Sequence, residues 1–272
     1  MKKLLCVLSA MLLIMTIPFS AHAIVTNTTT YEEETPDYLE IIEEVFPDFQ
    51  EGQVSPLWTS GAPDAANSKT HGHITKKAYN LLRGDNTTAY NFYRGKLTKL
   101  VRGSVLPDDD ETTGAFAWHF YGENGLNYNG GTITAYTKCI EHYNSAVSLY
   151  NSGSVMSAME ELGRALHYLQ DVNVPHHAKN KIAILSNHIQ FENLAEQNLD
   201  SFGVPGITNS LYTDASLSLG TIIDNYADTA RRWYNKASSG ENDKMLEAAG
   251  ACIRNSQRAT VTVLYKFMVA VS

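Results

Sequence analysis

The stretch Leu166-His-Tyr-Leu-Gln-Asp-Val-Asn-Val-Pro-His-His-Ala178 places His167 and Asp171 four residues apart, then Pro175, then His176 and His177. Met159, Leu162, Leu166 and Leu169 recur at the helical period ahead of the proline, so a long helix is predicted from Ser157 to about Asn173, ended by Pro175. Residues i and i+4 share one face of a helix, so the imidazole of His167 and the carboxylate of Asp171 can close on one cation. The turn after the proline brings in another histidine. A helical protein carrying a metal site is the first expectation.

Helical periodicity extends to both sides. Ile74, Ala78, Leu81 and Leu82 form one apolar stripe closed by Gly84, and Tyr136, Ile140, Tyr143, Val147 and Tyr150 form another closed by Asn151-Ser-Gly153. Further helices are predicted at Asn187 to Leu199, Leu217 to Lys236 and Asp243 to about Val269. Strand signals are few. The segments from Val105 to Asn129 and from Ser201 to Thr213, rich in Gly, Pro, Asp and Asn, read as loops.

Residues 1–23 read as a secretory signal: Met1-Lys2-Lys3, an apolar run to about Phe19 broken by Pro18, then Ser20-Ala-His-Ala23. A secreted protein is expected. Residues 24–57 hold nine acidic residues and no Lys or Arg, and read as an acidic propeptide. Without the signal's two lysines and those nine acids, residues 58–272 carry 19 basic and 20 acidic side chains, so the body is nearly neutral. That balance gives no global drive toward nucleic acid, and the basic run from Lys69 to Arg102 reads as a solvated helical face. The 215 residues from Trp58 onward suit one domain. Cys139 and Cys252 are either a disulfide or two buried thiols, because spacing does not settle geometry.

Candidate ligands recur along the body: His71 and His73, Asp108 in Leu106-Pro-Asp-Asp-Asp110, His119 in Phe116-Ala-Trp-His-Phe120, then His167, Asp171 and His177, then a second i, i+4 pair in His188 and Glu192. Imidazole and carboxylate without thiolate suit Zn²⁺ and leave room for water, so catalytic zinc fits better than structural zinc. His73 competes with His71, and Asp109 and Asp110 compete with Asp108. His73, His142 and His176 are read as non-ligands.

In this register the chain resembles the bacterial zinc-dependent phospholipases C, the phosphatidylcholine-preferring enzymes and the catalytic domain of clostridial alpha-toxin. The resemblance runs from Trp58 to about residue 200 and rests on Trp58, Thr70-His-Gly-His-Ile74, Leu106-Pro-Asp108, His119-Phe120, His167 through Ala178, and His188 with Glu192. It implies an all-α fold, one compact multi-helix domain over residues 58–272 of the zinc phospholipase C and single-strand nuclease type. It implies three zinc ions: one on Asp108, His119, His167 and Asp171, a second on His177, His188 and Glu192, and a third on His71, a bridging Asp171 and the free terminus of Trp58. The implied function is a secreted zymogen that, once processed, hydrolyses the glycerol-side phosphodiester bond of phospholipids by metal-activated water, with Asp108 the catalytic carboxylate and a glutamate or a bridging hydroxide the alternative bases.

The pattern also departs from the family. An acidic residue and a tyrosine that line the choline pocket of the phosphatidylcholine-preferring enzymes are Gly61 and Asp109 here, whereas the pocket aromatic is kept as Phe116. Phe116 and Asp109 are therefore the expected substrate-binding residues, without an expected choline preference. No counterpart of alpha-toxin's lipid-binding β-sandwich is read, so calcium-driven docking is not expected. A monomer acting on phospholipid at a membrane surface is expected, with no stable nucleic-acid partner. The alternatives are a zinc-dependent single-strand nuclease or 3′-nucleotidase, disfavoured by Glu192 where those enzymes usually carry aspartate, and a non-enzymatic zinc-binding helical protein.

Overall fold

Every regular element among the described residues, 70–110, 115–183 and 186–272 of this computed structural model, is helical. The elements are α1 (Thr70–Asp85), α2 (Thr87–Tyr93), α3 (Leu97–Gly103), α4 (Leu106–Asp110), a 3₁₀ turn (Ala115–His119), α5 (Ala135–Asn151), α6 (Val155–Asp171), the single turn α7 (Pro175–Ala178), α8 (His188–Gln197), a second 3₁₀ turn (Leu199–Ser201), α9 (Asn209–Asp214), α10 (Leu219–Ala237) and α11 (Asn242–Val271). The predicted signal segment, the acidic leader and Trp58 lie outside the described residues.

Local chemistry explains several helix ends. Asn86, Thr134 and Ser218 each accept a hydrogen bond from a backbone N–H three residues on, which satisfies one of the donors that a helix start leaves open. Thr134 and Thr137 bond reciprocally, a capping box that starts α5. The chain leaves α5 through Gly153, whose φ of 85° lies in the left-handed region. Pro175 keeps Val174 extended, at φ −82° and ψ 120°, so α6 stops and α7 sets off in a new direction.

The long helices fall where periodicity placed them, with corrections. The two expected loops contain short helical elements: α4 and the first 3₁₀ turn in one, α9 in the other. The pair α2 and α3 carries no long apolar stripe, and tertiary packing holds its buried Ala89, Tyr93, Leu100 and Val101. In α5 the buried line is Ala135, Cys139, Tyr143 and Ala146, whereas Tyr136, Ile140, Val147 and Tyr150 flank it half-buried. Three of the four on the buried line are small, which lets α6 pack closely along α5.

Helix α6 is the hub. It packs on α5 along one side and on α3 along another, and it buries Met159, Leu162, Leu166 and Leu169 completely. The approach of α3 is backbone on backbone: a Cβ on Gly103 would lie 2.1 Å from the Glu160 carbonyl oxygen, and one on Gly163 would lie 2.3 Å from that of Leu100. Helix α11, 30 residues and so about 45 Å long, is the other long support, against which α1, α8 and α10 pack. Cys139 and Cys252 are both buried free thiols, which decides between the two alternatives for them. No helix among the described residues is long and apolar enough to cross a membrane.

Gly163→Ala is expected to push α3 off α6 and to destabilise the protein by about 1–3 kcal/mol, as overpacking does. Gly84→Ala, on a helix surface with open space around the new methyl, should stabilise by about 0.5–1 kcal/mol. Urea unfolding of the two variants beside the parent checks both signs.

Candidate metal centre

The last turn of α6 presents His167 and Asp171 to one point, and two other segments converge on it. Asp108 comes from α4, with Pro107 in its first turn, and the 3₁₀ turn after it delivers His119. His119 Nδ1 lies 2.8 Å from Asp171 Oδ2 and 3.0 Å from His167 Nε2; His167 Nε2 lies 3.2 Å from Asp171 Oδ2 and 3.3 Å from Asp108 Oδ1; Asp108 Oδ1 lies 3.6 Å from His119 Nδ1. Zinc bonds of about 2.0–2.1 Å in a tetrahedron put neighbouring ligand atoms about 3.3 Å apart. Five edges of such a tetrahedron are therefore close to the right length. The other ring nitrogen of His167, Nδ1, donates to the Ser104 carbonyl at 3.1 Å, which leaves Nε2 as the ligating atom.

His71, in the first turn of α1, stacks on His167 with ring centres 4.0 Å apart. Its Nε2 faces Asp171 Oδ1 at 3.7 Å, and His71, His167 and Asp171 form a second group fit for a cation. His73 points away: it lines a surface pocket with Lys76, Lys77 and Asp200, so it does not displace His71. Asp171 thus offers Oδ2 to one group and Oδ1 to the next.

A third group joins α7 to α8. His188 Nε2 lies 2.8 Å from Glu192 Oε1, one turn on, and His177 Nε2 lies 3.6 Å from the same oxygen. His177 Nδ1 faces Asp171 Oδ1 at 3.3 Å, so the third group abuts the first two. His176 stays out, although it is fully buried: its Nε2–H donates to Asn187 Oδ1 at 3.3 Å and its ring stacks on His188, with centres 4.7 Å apart. His142 pairs with Glu161 at 2.8 Å and stacks on Tyr168 with ring centres 5.7 Å apart, and it belongs to none of the three ligand groups.

Residues 70–246, about two thirds of the chain, match the family described as zinc dependent phospholipase C. The chain belongs to that family. It is 29% identical over 258 residues to a phospholipase C of Paraclostridium bifermentans, covering 81% of this chain and 63% of that protein. It is 26% identical over 235 residues to a phospholipase C of Clostridium novyi, covering 75% of this chain and 59% of that one. Among solved structures, an alpha toxin from Clostridium absonum superposes with a TM-score of 0.69 at 23% identity, over 75% of this chain and 64% of that one. At that identity the likeness is one of fold. This zinc phospholipase C family member therefore spans less than two thirds of the length of these relatives.

The side chains of the family member fit zinc on their own evidence. Asp171 Oδ1 and both ring nitrogens of His177 are buried without a hydrogen-bond partner, an arrangement that a bound cation satisfies. The electrostatics agree. Burial would raise the carboxyls of Asp108 and Asp171, yet the neighbouring imidazoles, His167 first, hold both below the usual range, Asp171 far below it. Burial would likewise lower His167, yet Asp108 and Asp171 lift it well above the ordinary histidine value. The carboxylates draw one positive charge to the centre of the tetrahedron, and zinc would compete with a proton for that place, so metal affinity falls as pH falls. Burial, and then the charge of His167, lower His71 to about 4, so His71 is neutral and able to ligate.

Of the expected site residues, His71, Asp108, His119, His167, Asp171, His177, His188 and Glu192 are brought together in the three groups, and Trp58 lies outside the described residues. Phe116 is half-buried with its ring 6.2 Å from His119, and Asp109 is exposed. The ring of Tyr128 lies 6.1 Å from that of Phe116, a contact that a lone tyrosine in a Gly- and Asn-rich segment does not signal in the sequence.

Asp171→Asn is expected to lower zinc content by more than one ion per chain, because that carboxylate faces all three groups. His177→Ala should remove one ion. His176→Ala should keep the full metal content while costing about 1–3 kcal/mol of stability through its lost packing. Elemental analysis with thermal unfolding separates the three.

Proposed function

We propose that this protein is a secreted phospholipase C that holds three zinc ions and cleaves phospholipids on the glycerol side of phosphorus. The tetrahedron of Asp108, His119, His167 and Asp171, abutted by two further ligand groups, is the observation that carries the reading. When bound, zinc supplies Lewis-acid stabilisation of charge on the phosphoryl oxygens and lowers the pKa of water toward about 7. The distribution of ions is the one implied by the family register, with Trp58 completing the group that contains His71 and Asp171.

In the proposed reaction a water oxygen bonds to phosphorus, the bond from phosphorus to the glycerol oxygen breaks, and a proton reaches the departing alkoxide. Diacylglycerol and a phosphorylated headgroup leave. Asp108 orients the water and takes its proton, a role supported by a carboxylate that the His167 and His119 imidazoles keep ionised. The half-buried rings of Phe116 and Tyr128, with Asp109 exposed nearby in sequence, form the proposed headgroup wall. Aromatic faces and one negative charge favour a cationic headgroup in general over choline in particular. Export is proposed from the signal-like residues 1–23, and lipid at a membrane surface is the proposed partner.

Zinc-loaded protein presented with phosphatidylcholine, phosphatidylethanolamine, sphingomyelin, single-stranded DNA and 3′-AMP is expected to release a phosphorylated headgroup from the glycerolipids. Nuclease or nucleotidase activity alone, or one metal ion or none per chain, would sink the reading.

The terminal ligand generates a second expectation. A nitrogen inside a peptide bond has no lone pair to give to zinc, whereas a terminal amine does once deprotonated. If Trp58 is that ligand, cleavage between Leu57 and Trp58 should raise activity sharply and add one zinc ion. Secreted active protein should then begin at Trp58 on N-terminal sequencing, and full activity in a form beginning at Ile24 would exclude the terminal amine.

A further inference from the structure

We propose that Gln170 is a positioning residue that fixes His71 as an Nε2 ligand and so sets the affinity of the ion held by His71 and Asp171, a proposal that rests on the three-zinc reading above. Gln170 is fully buried one residue before Asp171, and its side chain connects three helices: its own α6, α1 and α11.

The amide has two unlike ends, and the surrounding bonds decide which way it points. Its NH₂ group donates to Thr75 Oγ1 at 3.0 Å and to Thr260 Oγ1 at 3.3 Å. The Thr260 hydroxyl hydrogen is committed to the Ser256 carbonyl at 2.7 Å, one turn back on α11, so toward Gln170 that oxygen can only accept. A flipped amide would set oxygen against oxygen there. The amide oxygen therefore faces α1, where Gln170 Oε1 accepts from His71 Nδ1–H at 2.9 Å.

A neutral imidazole has one N–H. Because Gln170 holds it at Nδ1, the lone pair stands at Nε2, the atom that faces Asp171 Oδ1 at 3.7 Å. The relay from Ser256 through Thr260 and Gln170 thus settles a tautomer at the far end, and it orients the ring that stacks on His167. Outer partners of this kind typically change metal affinity by about 10–100-fold when they are removed.

The test uses zinc-loaded protein from which residues 1–57 have been cleaved after folding, equilibrated against buffers of falling free zinc, with bound metal counted by elemental analysis. Gln170→Leu is expected to release one ion at a free zinc concentration about 10–100-fold higher than the parent does, with the other two unmoved. Gln170→Glu keeps an acceptor for His71 Nδ1–H, although it sets an oxygen against Thr260 Oγ1, and should hold that ion more tightly than Gln170→Leu does. His71→Ala should lose the same ion outright, and the double variant His71→Ala/Gln170→Leu should bind as His71→Ala alone does. If Gln170→Leu fails to fold, Thr260→Val breaks the same relay at its far end, with a smaller loss expected at the same ion. Release of all three ions together, release no earlier than the parent, or equal losses in the Leu and Glu variants would each overturn the proposal. A processed parent that binds fewer than three ions fails the functional reading instead, whereas a Gln170→Leu effect confined to the ion that His71→Ala removes upholds the positioning role.

Discussion

Asp171 meets four imidazoles, and most of the architecture follows from keeping that meeting buried. Its Oδ2 faces His119 and His167 at 2.8 and 3.2 Å, and its Oδ1 faces His177 and His71 at 3.3 and 3.7 Å. An ionised carboxylate in a protein interior is costly unless charge and hydrogen bonds surround it, so four separate segments must arrive at one point together. The first turn of α1, the 3₁₀ turn at Ala115–His119, the end of α6 and the α7 turn all do so. The same concentration of unlike groups makes the place useful. Carboxylates and imidazoles at tetrahedral separations are a ready environment for a divalent metal, for which a proton would compete.

Backbone constraints, more than side-chain bulk, hold those segments in register. Gly103 and Gly163 let α3 and α6 touch main chain to main chain, and the next residue, Ser104, then offers its carbonyl to His167 Nδ1. A side chain at either glycine would move the carbonyl and with it the tautomer of a ligand. Pro175 acts in a comparable way, ending α6 at Asp171 and aiming His177 back toward it. Arg231, from α10, ties the Tyr121 and Ala178 carbonyls together at 2.9 Å each, which braces the loop behind the α7 turn. Packing, tautomer and ligand position are thus one problem here.

Much of this was legible in the chain before folding was considered. Leucine and methionine at the helical period named α6 and its buried face, and i, i+4 pairs named His167 with Asp171 and His188 with Glu192, because the geometry of one helix is a local property. Gly84 and Pro175 placed helix ends for the same reason. Local rules also misled: the loops that Gly, Pro and Asp suggested around Asp108 and His119 contain short helical turns, and of the bulky stripe expected on α5 only Tyr143 lies on the buried line, beside the smaller Ala135, Cys139 and Ala146. Bulk marks a residue as apolar, whereas close approach of a neighbouring helix selects the small ones.

The sequence by itself determined the helical class, the elements that carry the ligands, and the pairs that a single helix aligns, since 3.6-residue periodicity and proline's missing N–H act over a few residues. Which histidine of His176 and His177 turns inward, which aspartate of the Asp108-Asp-Asp110 run faces the cluster in place of the exposed Asp109, and that two cysteines stay apart were decided only in three dimensions. So was the bond from Gln170 to His71, 99 residues away along the chain. Each depends on contacts between segments far apart in sequence, and no spacing along one chain records the distance between two helices that have yet to pack.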